Sequence, residues 1–175
     1  MKSFTPPLRF PFDLGDLSQA GSSVTVEAGA DELPRIAEWA GIQGVERFRA
    51  IVNLRRISTT RFGYQADLEA DIVQNCVVTL EPVPAHIARH IDRELHLVQR
   101  APVEEGELTL AAGDDDVPET ITSLDFDLAG PLLEEFALAI DPYPRKAGAA
   151  FARAAEPEAA PESPFAVLKS LKERG

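Results

Sequence analysis

The chain has 175 residues, of which 45% are hydrophobic, and a formal net charge of −12, which fits one compact core and excludes wholesale disorder. It has no run of 18 apolar residues, no apolar signal peptide and only one cysteine, so we expect a soluble cytoplasmic protein without membrane spans or internal disulfides. Residues 101–141 contain twelve acidic and no basic residues, which argues against DNA or a large nucleic-acid footprint but leaves a local RNA contact open.

Two elements are predicted in the first part of the chain. A short strand at residues 24–28 opens the core. A helix follows, with Asp31 as its N-cap, Pro34 in the tolerated first turn and Gly41 at its end. Its apolar positions have the spacing i, i+3, i+4 and i+7, and they are Leu33, Ile36, Ala37 and Ala40.

Alternation of apolar and polar residues is the strongest pattern in the sequence. It runs through residues 46–55, 62–80 and 85–97, and it predicts three long strands of an antiparallel sheet with one buried face. Residues 58–60 are predicted to form a hairpin turn between the first two of these strands. A register centred on Thr59 puts opposite charges and apolar side chains across from each other: Arg49 and Glu69, Arg47 and Asp71, Phe48 and Ala70, Leu54 and Tyr64.

A second helix is predicted to begin near Leu128 or Pro131 and to stop at residues 141–142. Its expected apolar stripe consists of Leu133, Phe136, Ala137 and Ile140. We therefore expect a single α+β domain over residues 1–144, an antiparallel sheet of four or more strands, barrel-like or open, covered by two helices.

The C-terminal part is predicted to be a tethered helix. Residues 145–162 are rich in alanine, proline and glutamate and read as a flexible linker. Residues 163–173 follow as a short amphipathic helix. Because so short a helix does not fold alone in water, it either packs on the core or docks on a partner. Its candidate partner-binding residues are Phe165, Leu168, Lys169, Leu171 and Lys172.

The histidines raise the question of a metal site. On a helix, His86 and His90 would share one face, which suits zinc. On a strand they lie about 13 Å apart, and His96 lies about 20 Å further on, too far for one ion. The alternation favours the strand, so we expect an exposed sheet face and no metal. The acidic run at residues 114–116 lacks the spacing of a calcium loop.

No catalytic constellation is recognisable. Cys76 falls on the apolar side of the 62–80 strand, where a thiol is usually inert, so we expect it to be buried and chemically quiet. An arginine-rich stretch could form an RNA patch, but acidic residues across the hairpin would neutralise part of it, and structural pairing is the favoured interpretation. Its arginines are Arg47, Arg49, Arg55, Arg56 and Arg61.

Three segments carry a resemblance to a known family. They read C-V-V-T-L-E-P at residues 76–82, I-T-S-L-D-F-D-L through I-D-P-Y-P at residues 121–144, and P-F-A-V-L-K-S-L at residues 164–171. In this order they resemble the YceD family of bacterial and plastid proteins over about residues 22–172. The residues that match the family motifs, expected to be structural, are Cys76, Leu80, Pro82, Asp127, Glu135, Pro142 and Pro144.

The resemblance implies a role in the accumulation of large-subunit (23S) ribosomal RNA and no enzymatic activity. Some relatives have further cysteines that suggest metal binding. Here Thr79 replaces the second cysteine and Arg145 and Lys146 follow Pro144, so Cys76 alone cannot build a thiolate site. We expect a factor without cofactor that binds ribosomal protein or large-subunit RNA. The alternatives are a small enzyme with an unrecognised site and a metal-dependent nucleic-acid-binding protein.

Overall fold

The computed structural model describes residues 5–98 and 119–150 of the chain. These residues form the predicted α+β fold, with a five-stranded, mostly antiparallel sheet and two helices. The elements in chain order are β1 (Pro11–Asp13), β2 (Ser22–Glu27), α1 (Leu33–Ala40), β3 (Gly44–Arg56), β4 (Arg61–Asn75), β5 (Pro82–Leu97), β6 (Glu119–Ile121), β7 (Asp125–Asp127) and α2 (Ala129–Ala139).

The main sheet has the strand order β2-β3-β4-β5-β6, and a separate two-stranded sheet pairs β1 with β7. The expectation of a purely antiparallel sheet is wrong at one edge, because β6 runs parallel to β5. A parallel neighbour needs a connection of a dozen or more residues. The chain between Leu97 and Glu119 has that length.

The predicted register of the central hairpin is confirmed. The four expected pairs, including Phe48 with Ala70 and Leu54 with Tyr64, lie opposite each other in β3 and β4. Of the two expected opposite-charge pairs, Arg47 with Asp71 forms an ion pair at 2.8 Å, but Arg49 with Glu69 does not. Glu69 contacts Arg47 across the diagonal at 3.3 Å, and the long reach of an arginine side chain allows this. Arg49 turns instead toward Glu27 of β2, at 4.0 Å.

Both helices differ from the prediction in detail. Asp31 does not cap α1; Glu32 occupies the N-cap position, and its carboxylate accepts a hydrogen bond from Gly29 N rather than from the helix. The C-cap is Gly41, as predicted, in the left-handed conformation at φ 67°. In α2 the expected apolar Ala137 is exposed. The buried positions are Ala129, Pro131, Leu132, Leu133 and Phe136.

The core lies on one face of the sheet. Alternate residues of β3, β4 and β5 are buried there, and both helices contribute to the same cluster. Phe136 of α2 packs edge-to-face on Phe48 with ring centroids 5.4 Å apart. Tyr64 points inward as predicted, and its hydroxyl donates to Leu128 O at 2.9 Å. Burial raises the pKa of Tyr64, so this phenol stays a hydrogen-bond donor.

Candidate functional site

Two of the motif segments meet at one end of the molecule. Val77 N donates to Pro144 O at 2.9 Å, which joins the turn after β4 to the chain after α2. We call residues 76–81 and 141–146 together the motif junction. Five of the seven motif residues lie in or beside it, namely Cys76, Leu80, Pro82, Pro142 and Pro144. The structure therefore brings together residues that are far apart in sequence.

The first turn of the junction replaces the end of a predicted strand. The strand expected at residues 62–80 ends at Asn75, although the apolar alternation continues beyond it. Leu80 N donates to Cys76 O at 2.9 Å, and Cys76 N donates to Glu81 O at 2.8 Å. Leu80 has φ 59°, a left-handed conformation that costs free energy in a branched residue and must be held by its surroundings.

The sulfur of Cys76 accepts hydrogen bonds from both segments of the junction, the turn after β4 and the chain after α2. Cys76 is fully buried, as predicted, but it lies outside the apolar core cluster. Lys146 N and Thr79 N each approach Sγ at 3.4 Å. These donors, together with the side chain of Thr79, favour the thiolate and lower the pKa of Cys76 to about 6. The interpretation of Cys76 as an apolar strand residue is therefore wrong in its position and in the groups that face it.

Lys146 closes the junction from the outside. Its Nζ donates to Glu81 Oε1 at 2.9 Å, with both side chains about half exposed. The hydrogen bond from Lys146 lowers the pKa of Glu81 below its ordinary value. Sequence reasoning missed this pair. Glu81 lies inside the first motif and Lys146 lies two residues after the second, so their places in and beside the motifs were the available signal.

A cavity of about 320 Å³ lies beside the junction. Its wall includes Gly41 at the end of α1, Gln74 at the end of β4, Val77, and Pro142 after α2. Gln74 is buried, and its amide donates to Asp141 O at 2.8 Å. The most buried polar side chain of the wall therefore holds the chain after α2 in place.

Apolar side chains project into solvent from both turns. Val77 is 45% exposed, Leu80 76% and Tyr143 72%. Single exposed apolar residues are ordinary, but a group of them marks a candidate contact surface. Among the described residues, three of the seven large exposed hydrophobic side chains belong to the motif junction. The junction is thus closed by hydrogen bonds within, and it exposes three apolar side chains in addition to the Lys146–Glu81 ion pair.

The motif residue Glu135 lies elsewhere, in a cluster around Arg93. Arg93 of β5 contacts Glu134 at 2.8 Å, Glu135 at 3.2 Å and Glu119 at 3.3 Å. Burial disfavours the charged guanidinium, yet its hydrogen bonds to these three carboxylates raise the pKa of Arg93 above its ordinary value. The cluster ties α2 to β5 and β6. Glu135 therefore takes part in this cluster and does not belong to the junction.

Asp127 lies at the start of α2, at the opposite end of this helix from Pro142. Its Oδ1 accepts hydrogen bonds from Phe10 N at 2.7 Å and from Ala129 N at 3.1 Å. Arg9 Nε lies 3.5 Å from Oδ2. The carboxylate therefore anchors the N-terminal segment and satisfies a free N–H of the first helical turn. This contact supports a structural role for the motif aspartate.

The histidines lie on the outer face of β5, as the strand interpretation predicts. His86 Nδ1 lies 2.7 Å from Asp71, and His90 Nδ1 lies 2.7 Å from Asp67, both on β4. The proximity of His86 lowers the pKa of Asp71, and Arg47 contributes to the same effect. No cluster of three metal-ligating side chains occurs within residues 5–98 and 119–150.

The arginine-rich stretch is largely paired. Arg47 contacts both Glu69 and Asp71, and Arg61 contacts Glu94. Arg56 donates to the carbonyl oxygens of Leu14 and Gly15 and lies over the ring of Phe62. These contacts match the structural interpretation of the stretch. The candidate residues of the C-terminal helix lie outside the described residues: Phe165, Leu168, Lys169, Leu171 and Lys172.

The fold and the junction define a small α+β protein in which two motif segments meet at one end of a sheet with one buried face. This chain belongs to the YceD family: the family model described as "Large ribosomal RNA subunit accumulation protein YceD" matches residues 64–172, more than half of its length. No curated protein and no solved structure matches the chain. In the part of the chain that the structure describes, no helix is long and apolar enough to cross a membrane.

Proposed function

We propose that this protein is a non-enzymatic factor that supports accumulation of large-subunit ribosomal RNA by binding a large-subunit ribosomal protein. Family membership supports the process. The contact is supported by the motif junction, where two family-matched segments meet and expose Val77, Leu80 and Tyr143. This convergence is the observation on which the proposal rests.

Charge favours protein over RNA as the direct partner. A protein that binds a phosphate backbone needs a concentration of unpaired basic side chains. The chain has 29 acidic and 17 basic residues. At the junction, the ammonium of Lys146 is engaged by Glu81, which leaves Arg145 as a single exposed basic side chain and not a concentration of them. Exposed apolar side chains on an acidic protein instead fit a basic protein partner with an exposed apolar segment, and the opposite charges would speed their encounter.

Two polar side chains that line the cavity are already hydrogen-bonded within the protein, and this favours binding over catalysis. A catalytic pocket needs polar groups that converge on a free volume and are available to a substrate. Here the amide of Gln74 holds Asp141 O, and the carboxylate of Asp141 accepts from Tyr143 N at 2.8 Å. These groups maintain the fold of the junction. The cavity beside them is then a place where an apolar side chain of a partner can insert.

The predicted C-terminal helix would provide a second contact. Its residues belong to the third family motif, and residues 164–171 fall within the matched range. The stripe of Phe165, Leu168 and Leu171 is apolar, and it follows the junction in the chain. An apolar helix that docks in a groove of a partner is a common recognition mode.

The test compares the junction with an exposed apolar position elsewhere on the fold. The double variant Val77→Ser with Tyr143→Ser removes apolar groups at the junction, and Ile51→Ser removes one from the outer sheet face, where Ile51 is 42% exposed. Each tagged protein is purified from cells before and after nuclease treatment, and bound proteins and RNA are identified. Thermal melts of both variants show whether the fold is kept.

We expect the wild-type chain and Ile51→Ser to retain a large-subunit ribosomal protein after nuclease treatment, and the junction variant to lose it. Retention by the junction variant would refute the assigned surface. A partner that nuclease treatment removes from the wild-type chain would refute direct protein binding and point to RNA.

A further inference from the structure

The metal site suggested by some relatives does not fit the groups at the motif junction. Cys76 provides a single sulfur, and Thr79 N and Lys146 N, which each approach it at 3.4 Å, are hydrogen-bond donors. Donors satisfy a thiolate but cannot ligate a cation. The hydroxyl of Thr79 accepts from Glu81 N at 3.4 Å, so it takes part in the turn. One sulfur and two N–H groups do not make a tetrahedral site.

The carboxylate of the turn after β4, that of Glu81, is also occupied by a cation. Glu81 Oε1 contacts the ammonium of Lys146 at 2.9 Å. A metal ion bound at Cys76 and Glu81 would have to displace this ammonium. Lys146 thus makes two contacts across the junction: its backbone N–H donates to the sulfur of Cys76, and its side chain donates to Glu81.

We propose that the motif junction of this chain is a metal-independent clasp, in which Cys76 accepts hydrogen bonds from both turns and the Lys146–Glu81 ion pair closes them from outside. A bound metal ion holds chain segments together through bonds from several ligands to one centre. Here the sulfur of Cys76 and the ammonium of Lys146 hold the two segments together instead. The clasp fixes the left-handed turn at Leu80 and the path of the chain after Pro144.

The first measurement is the metal content of the full-length chain. The purified protein is incubated with zinc, freed of excess metal and analysed for zinc, and its thermal melt is recorded with and without a chelator. We expect less than about 0.1 zinc per chain and an unchanged melting temperature. Retention of one zinc per chain, or a melting temperature that falls on chelation, would overturn the proposal.

The second measurement tests the ion pair. Lys146→Met keeps the backbone N–H and the apolar stem but removes the ammonium, and Glu81→Gln removes the carboxylate charge. Arg145→Met is the matched control, because Arg145 is exposed and forms no ion pair within the described residues. Since Cys76 is the only cysteine and is fully buried, its rate of alkylation reports the opening of the junction.

We expect Lys146→Met and Glu81→Gln each to lower the melting temperature by about 1–3 °C and to increase alkylation several-fold, with no further effect in the double variant. Arg145→Met should behave as the wild-type chain. Wild-type alkylation rates in both variants, or fully additive effects in the double variant, would overturn the clasp. These measurements use the isolated protein, so their outcome is independent of the partner-binding proposal.

Discussion

Removal of Arg93 should loosen α2 from the sheet. Arg93 is 23% exposed and contacts three carboxylates, from Glu119, Glu134 and Glu135. Each pair is partly exposed and is worth about 0.2–1 kcal/mol, so Arg93→Met should lower the free energy of unfolding by roughly 1–3 kcal/mol. The three remaining carboxylates would also repel one another. At about 3 °C per kcal/mol, the melting temperature should fall by roughly 3–9 °C.

The chain offers a close control for this variant. Arg89 lies on the same strand and the same face, is exposed, and has no ion pair among the described residues. Thermal melts of Arg89→Met should therefore match the wild-type chain. The loss in Arg93→Met should shrink in about 1 M salt, because screening weakens exposed ion pairs. Equal melting temperatures for the two variants would refute the cluster as a support of α2. Apolar packing would then be what holds this helix on the sheet.

Three further predictions concern the junction, the outer sheet face and the tail. The pKa of Cys76 is lowered to about 6 in the fold, so the stability that its thiolate contributes should be lost as pH falls from about 8.5 to 6. Cys76→Ser should therefore cost more stability at pH 8.5 than at pH 6 in thermal melts. An equal cost at both pH values would contradict a folded-state thiolate. A double-mutant cycle with Arg47→Met and Glu69→Gln should give a coupling of about 0.2–1 kcal/mol in urea unfolding, and zero coupling at low salt would reject their ion pair. Phe165→Ala with Leu168→Ala should weaken partner binding with an almost unchanged melt, whereas a stability loss of roughly 2–5 kcal/mol per substitution would show that the helix packs on the core.

The sheet register was predictable because both of its causes are local in sequence. Apolar alternation decides which face is buried, and a slip by one residue would bury the polar face. A short turn then sets which residues lie opposite, so Phe48 and Ala70 could be paired without a structure. The diagonal contact of Arg47 with Glu69 was not predictable, since it depends on side-chain conformations rather than on strand pairing.

The motif junction escaped prediction for two physical reasons. The left-handed residue of its first turn is Leu80, whereas a glycine would have signalled the end of the strand. The apolar alternation also runs on through Cys76 to Leu80, so the pattern alone indicates a continuing strand. The Lys146–Glu81 pair joins residues 65 positions apart, and no local pattern predicts such a contact. Strands β6 and β7 have three residues each, too few to show a period.

The most direct test of the central claim is the ratio of large-subunit to small-subunit ribosomal RNA in cells that lack this protein. Cells are complemented with the wild-type chain, with the Val77→Ser, Tyr143→Ser variant, or with Ile51→Ser, at matched protein levels. We predict that the ratio is lowered without the protein, restored by the wild-type chain and by Ile51→Ser, and not restored by the junction variant. An unchanged ratio in cells without the protein would contradict the proposed role, and full restoration by the junction variant would contradict the assigned contact surface.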